Sequence, residues 1–233
     1  MTFAEIAGRA AEVRRRISGA CDRAGRDPSS VSLVAVTKTH PASTVRAAVE
    51  AGLTDFGENR VQEGAAKSAA LADLPGLKWR MIGRLQTNKV RAAVKSFQEI
   101  QSVDCLELVG RIAREAQGRE PPFPVLLEVH LGGEDTKGGV EPEGAETLLR
   151  EALAAASLCV EGLMAVPPFR EDPEESRPHF RRLRELAESL RQRTGSPLPH
   201  LSMGMSHDFE VAVEEGATIV RVGTALFGTR ASA

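Results

Sequence analysis

Phe3, Ile6, Ala10, Val13, Ile17 and Cys21 recur at three- and four-residue spacing, which lays one apolar stripe along a 3.6-residue period and predicts an opening amphipathic helix. Thr2 followed by Glu5 fits a reciprocal capping box at its start, and Gly25 and Pro28 end it. Val31 to Thr37 is then an unbroken run rich in β-branched residues, the pattern of a strand buried on both faces of a parallel sheet. From Pro41 to Gly52 the period returns to that of a helix.

The same alternation continues to the end of the chain. Further strands are predicted at Thr54–Phe56, Lys78–Ile82, Glu99–Val103, Val125–Val129, Val160–Met164, His200–Met203 and Thr218–Val222. Helices fill 60–72, 88–96, 104–117, 142–156, 175–193 and 207–215, with Asp104 and Glu107 repeating the capping arrangement. Phe180, Leu183, Leu186, Ala187 and Leu190 give one of these helices a core-facing stripe. The strand starts lie about 27 residues apart, close to the ~30 residues of a βαβ unit. Eight such units behind one extra helix predict an α/β fold, a (β/α)8 TIM barrel with an extra N-terminal helix, forming a single domain over 1–233. A doubly wound open sheet is the alternative.

Composition narrows the partners. Thirty Lys and Arg against 32 Asp and Glu leave a net charge of −2, without the overall basicity of a dedicated nucleic-acid binder. No apolar run approaches the ~20 residues that span a bilayer, and the N-terminus lacks the order of a secretory signal. The expectation is a cytoplasmic protein with neither a membrane nor a nucleic acid as partner. Cys21, Cys105 and Cys159 have no metal-binding spacing and read as small core residues in a reducing compartment. Tyrosine is absent, and only six lysines are present, so chemistry that needs a phenol or a primary amine has few candidates.

In such a barrel, chemistry sits where strands end. Lys38 follows the first strand; it is either the ordinary charge that ends a strand or, beside an apolar wall, an amine nucleophile for a carbonyl compound. After the second strand come Gly57, Glu58, Asn59 and Glu63. Asn59 is either a helix N-cap or an amide facing a ligand, and the two glutamates read as helix-start and solvent charges. Six basic residues and no acid lie between Lys78 and Lys95, either a solvated face or a phosphate- or nucleic-acid-facing patch. Gly132 to Gly139 is a glycine-flanked loop without the order of a nucleotide-binding loop. Ser206 is placed to cap the helix at 207–215, and Gly223 to Gly228 forms a short helix after the last strand. Ser206, Gly223 and Thr224 therefore suit a phosphate, which barrels bind beside their seventh and eighth strands. Arg221, in an apolar strand, either pairs with an acid or points at a ligand heteroatom. A rim lysine for an aldehyde, a phosphate cup and an arginine for a ring nitrogen are what pyridoxal 5′-phosphate requires.

TK at 37–38, FGEN at 56–59, IGRLQTNK at 82–89, GEDTKGG at 133–139, GLMAVPP at 162–168, LSMGMSHDFEVAVEEG at 201–216 and RVGTALFG at 221–228 resemble the pyridoxal phosphate homeostasis protein family, in order and over nearly the whole chain. That family is similar to the barrel domain of alanine racemase without its second domain. The resemblance implies a Schiff base at Lys38, a phosphate cup from Ser206, Gly223 and Thr224, Arg221 at the pyridine nitrogen and Asn59 beside the cofactor. It also implies a monomer that buffers pyridoxal phosphate and hands it to apo-enzymes. Arg60, Arg80 and His207 depart from the family pattern, the two arginines with a predicted effect on the pocket mouth. An arginine at the ring nitrogen and the absence of tyrosine argue for little or no turnover. The alternative is a racemase-like enzyme with His40 or Cys105 as base, and Lys137 is a candidate second amine during handover.

Overall fold

The structure, a computed structural model, describes residues 2–132 and 138–228. Helix α1 (Phe3–Arg23) comes first, and its capping box forms as expected: the Thr2 hydroxyl accepts from the Glu5 amide while the Thr2 amide donates to the Glu5 carboxylate. Eight strands follow: β1 (Ser32–Val36), β2 (Asp55–Glu58), β3 (Lys78–Met81), β4 (Glu99–Val103), β5 (Phe123–Glu128), β6 (Leu158–Met164), β7 (His200–Met205) and β8 (Ile219–Val222). Between and after them run α2 (Ala42–Glu50), α3 (Val61–Ala70), α4 (Val90–Ser96), α5 (Leu106–Glu115), α6 (Ala145–Ala154), α7 (Arg177–Thr194), α8 (Phe209–Glu214) and α9 (Thr224–Phe227). Each strand pairs in parallel with the next, and β8 closes on β1 with Val34 opposite Arg221. This is the (β/α)8 barrel, and its closure excludes the open sheet.

Alternation along the strands separates two cores. Val220 and Val222 belong to the large apolar layer between barrel and helices, as do Ala35, Val125 and Leu127. Val34, Leu126, Met164 and Ile219 form a second, small cluster. Because successive side chains of a strand point to opposite faces, that cluster and Arg221 share the barrel interior. The interior is thus half apolar plug and half polar, the polar half including Arg80, Glu99, Gln101 and Ser202.

Two local expectations fail for identifiable reasons. Asp104 does not cap α5, whose N-cap is Cys105 without a side-chain bond; its carboxylate accepts instead from the Gly139 amide at 3.4 Å. Of the three cysteines only Cys21 is core, while Cys105 and Cys159 are exposed. Helix α1 is fastened over α8 by apolar packing and by Arg16–Glu210 and Arg23–Glu214 ion pairs, an arrangement outside the barrel repeat.

Candidate functional site

The six residues singled out by sequence fall on four strand ends that are neighbours around the barrel, β7, β8, β1 and β2. Lys38 lies two residues beyond the end of β1 and is half-buried. Asn59 directly follows β2, also half-buried; it does not cap α3, whose N-cap is Arg60 without a side-chain bond. Gly83 packs so closely there that a Cβ on it would stand 2.5 Å from the Asn59 carbonyl oxygen, so only glycine fits beside this turn.

Ser206 does not cap the following helix. Helix α8 begins later and has Asp208 as N-cap, whereas the Ser206 hydroxyl reaches across to the end of β8. There it accepts from the amides of Gly223 at 3.1 Å and Ala225 at 3.2 Å. The Gly223 and Ala225 N–H groups thus both point at the Ser206 oxygen, where the ends of β7 and β8 meet. Thr224 is the exposed first residue of α9.

Arg221 is buried within the barrel. Its guanidinium donates to the Ser202 hydroxyl at 2.6 Å and to the Ala165 carbonyl at 2.8 Å. Neither partner is a carboxylate, and burial pushes its pKa down to about 10, so it stays a cation at neutral pH. The chain of bonds continues downward: Ser202 donates to Gln101, Gln101 to Glu99, and Arg80 bonds Glu99 and Asp55. Glu99 and Asp55 begin their strands, so Arg80 faces the bottom of the barrel and not the pocket mouth, which corrects the expectation for that residue.

Sequence reasoning missed two groups. Glu128 ends β5 on the mouth side, nearly buried, with its pKa raised to about 7 by burial first and the Asp104 charge second, against the pull of Arg221 and Arg84. A carboxylate closing an otherwise apolar strand, FPVLLE, was the available signal. The second group is Glu58, Glu63 and Lys67. Glu58 is fully buried, not a solvent charge; its carboxylate takes hydrogen bonds from Thr37 and from Lys67, the latter at 2.7 Å, and burial pushes its pKa up. The i,i+4 spacing of Glu63 and Lys67 was visible.

The basic run between Lys78 and Lys95 is not one surface. Lys78 lies exposed at the start of β3, Arg80 is inside the barrel, and Arg84 is exposed beyond the far end of β3. Lys137 lies outside the described residues. Among the described residues no cluster of His, Cys, Asp and Glu could hold a metal ion, and no helix is long and apolar enough to cross a membrane.

Residues 10–231 match the family model described as alanine racemase, N-terminal domain. The chain is 50% identical over 222 residues to a pyridoxal phosphate homeostasis protein of Aquifex aeolicus, covering 95% of this chain and 97% of that one. It superposes on PipY of Synechococcus elongatus, solved with PLP bound, with a TM-score of 0.85 at 40% identity, over 96% of this chain and all of that one. Alanine racemase from Corynebacterium glutamicum shares the fold, with a TM-score of 0.73 at 16% identity; 99% of this chain matches 62% of that longer one.

Proposed function

The chain belongs to the pyridoxal phosphate homeostasis protein family, and from that premise we propose that it binds pyridoxal 5′-phosphate at the barrel mouth, as a Schiff base on Lys38. It buffers the cofactor in the cytoplasm, as a monomer, and delivers it to apo-enzymes with little or no turnover. The observation that carries the reading is the convergence of Lys38, Asn59, Ser206, Arg221, Gly223 and Thr224 on four adjacent strand ends.

The residues present fit the group. The Gly223 and Ala225 amides donate to the Ser206 hydroxyl, and a phosphate seated there would take over these two N–H groups while accepting from the hydroxyl itself. Arg221 is a donor without acceptor capacity, fixed by Ser202 and Ala165, and suits an unprotonated ring nitrogen. Asn59 adds an amide on the β2 side of Lys38. Bound pyridoxal phosphate supplies an aldehyde carbon for the lysine amine and a ring that withdraws electrons. A cationic arginine at the ring nitrogen opposes its protonation and so weakens that withdrawal. The chain has no tyrosine, hence no phenol to move a substrate proton. Both features favour storage over turnover, and the PLP-bound relative at 40% identity supports the choice of ligand.

Borohydride reduction of cofactor-saturated protein followed by peptide mass mapping is expected to yield one pyridoxyl adduct, on Lys38, and none in the Lys38→Ala variant. An unmodified Lys38 in saturated protein would overturn the site. Arg221→Gln, which keeps hydrogen-bonding capacity toward Ser202 but removes the charge, is expected to raise the ring-nitrogen pKa and shift the visible absorption band. An unchanged spectrum over a pH series would mean that Arg221 does not face the ring.

A further inference from the structure

Among the described lysines Lys67 alone is buried. An ammonium carries three donors, and here three acceptors meet it: the Thr37 carbonyl at 2.6 Å, Glu58 Oε1 at 2.7 Å and Glu63 Oε1 at 2.7 Å. Its protons are therefore committed, and a lysine held this way is no nucleophile. The same two carboxylates hold the residues on either side of Lys38. Glu58 Oε1 accepts from the Thr37 hydroxyl, and Glu63 Oε1 accepts from the Thr39 amide. Thr39 has φ +69°, the left-handed region that a β-branched residue adopts only when its surroundings impose it. Glu58 closes β2 while Glu63 and Lys67 sit one helical turn apart on α3, so the clamp is built on rigid elements other than Lys38's own strand.

We propose that Lys67, Glu58 and Glu63 are positioning residues that clamp the 37–39 turn and thereby hold the Lys38 amine where it captures and retains an aldehyde. The proposal rests on the reading of Lys38 as the aldehyde-bearing lysine. It adds that the rate of cofactor capture is set by side chains that never touch the cofactor.

Glu63 is half-buried, and its variants test the clamp without opening the core. Glu63→Gln keeps an oxygen for the Thr39 amide and Lys67, whereas Glu63→Leu keeps the bulk and removes both. Glu63→Leu is expected to slow formation of the reducible Lys38 adduct by on the order of ten- to a hundredfold, the scale of a misplaced reacting group. Pyridoxal, which has no phosphate, is expected to show the same factor as pyridoxal phosphate, and Glu63→Gln to stay within about threefold of the parent. In the unliganded protein, Thr39 amide exchange is expected to accelerate in Glu63→Leu and not in Glu63→Gln. Wild-type capture rates in Glu63→Leu would overturn the proposal, as would equal slowing in both variants or slowing confined to the phosphorylated aldehyde. If the parent protein forms no adduct at Lys38, the cofactor reading fails by itself. Reductive methylation of the unliganded proteins with formaldehyde then decides the clamp. Slower labelling of Lys38 in Glu63→Leu alone supports it, and equal labelling in all three proteins refutes it.

Discussion

Replacing Lys67 by Met is expected to lower the free energy of unfolding by about 3–5 kcal/mol in urea denaturation at pH 7, the usual cost of removing one partner from a buried ion pair. Met matches the stem of the lysine, so lost packing contributes little. The loss comes from Glu58, which is fully buried and whose Oε2 already lacks a hydrogen-bond partner. Without Lys67 only the Thr37 hydroxyl would face its carboxylate. Burial holds the Glu58 pKa above the usual carboxylate value even with Lys67 pulling it down, so removing Lys67 raises it further. An acid whose folded pKa exceeds its unfolded one loses stability as pH rises through that interval. The deficit of Lys67→Met is therefore expected to be smallest in acid, where Glu58 is protonated in both states, and largest at neutral pH. Glu58→Gln added to Lys67→Met is expected to recover more than half of it, since no buried charge then remains to be compensated. A loss below about 1 kcal/mol would mean that the cluster behaves like an exposed pair.

This cluster also shows where sequence reading stops. Strand and helix periods located the eight βα units, and β4 was placed at its observed bounds, Glu99–Val103. Barrel topology then carried the site: once the strands are numbered, Lys38, Asn59, Ser206 and Arg221 must share one rim. What periodicity does not encode is which way a polar side chain turns at a strand end. The N-cap reading of Ser206 fails, because α8 starts later with Asp208 as its N-cap and Asp208 accepts from the Met205 amide, and the Ser206 hydroxyl bonds the β8 end. Glu58 and Glu63 have the local pattern of solvent charges and are instead tied to Lys67 and, across 21 and 24 residues of chain, to the 37–39 turn. Arg80 sits in a run of basic residues that sequence alone groups together, but alternation along β3 turns it into the barrel, away from its neighbours in sequence. Each miss is a long-range pairing, decided by register rather than by composition.

Glu128→Gln is expected to stabilise the unliganded protein at pH 8 by up to about 3 kcal/mol and to leave it nearly unchanged at pH 4. Burial, reinforced by the Asp104 charge, raises the Glu128 pKa from 4.5 to about 7 despite the attraction of Arg221 and Arg84. At about 1.4 kcal/mol per pK unit, that rise makes the ionised group about 3 kcal/mol worse folded than unfolded. Glu128 is proton-bound in the native state and ionised in the unfolded chain between pH 4.5 and about 7, so stability falls with rising pH across that window and stays lowered above it. Gln has the same shape and no charge, so it removes the penalty only where the penalty exists. Urea midpoints of both proteins at pH 4, 6 and 8 measure it, and a difference independent of pH would show that Glu128 is solvated. A chain that keeps such a carboxylate beside a buried Arg221 accepts a stability cost at the mouth of its site, a trade-off common at functional positions. The same charge raises the Arg221 pKa, which burial otherwise lowers. Glu128→Gln is accordingly expected to leave Arg221 easier to deprotonate, with the absorption of bound cofactor altered at alkaline pH before it is altered at neutral pH.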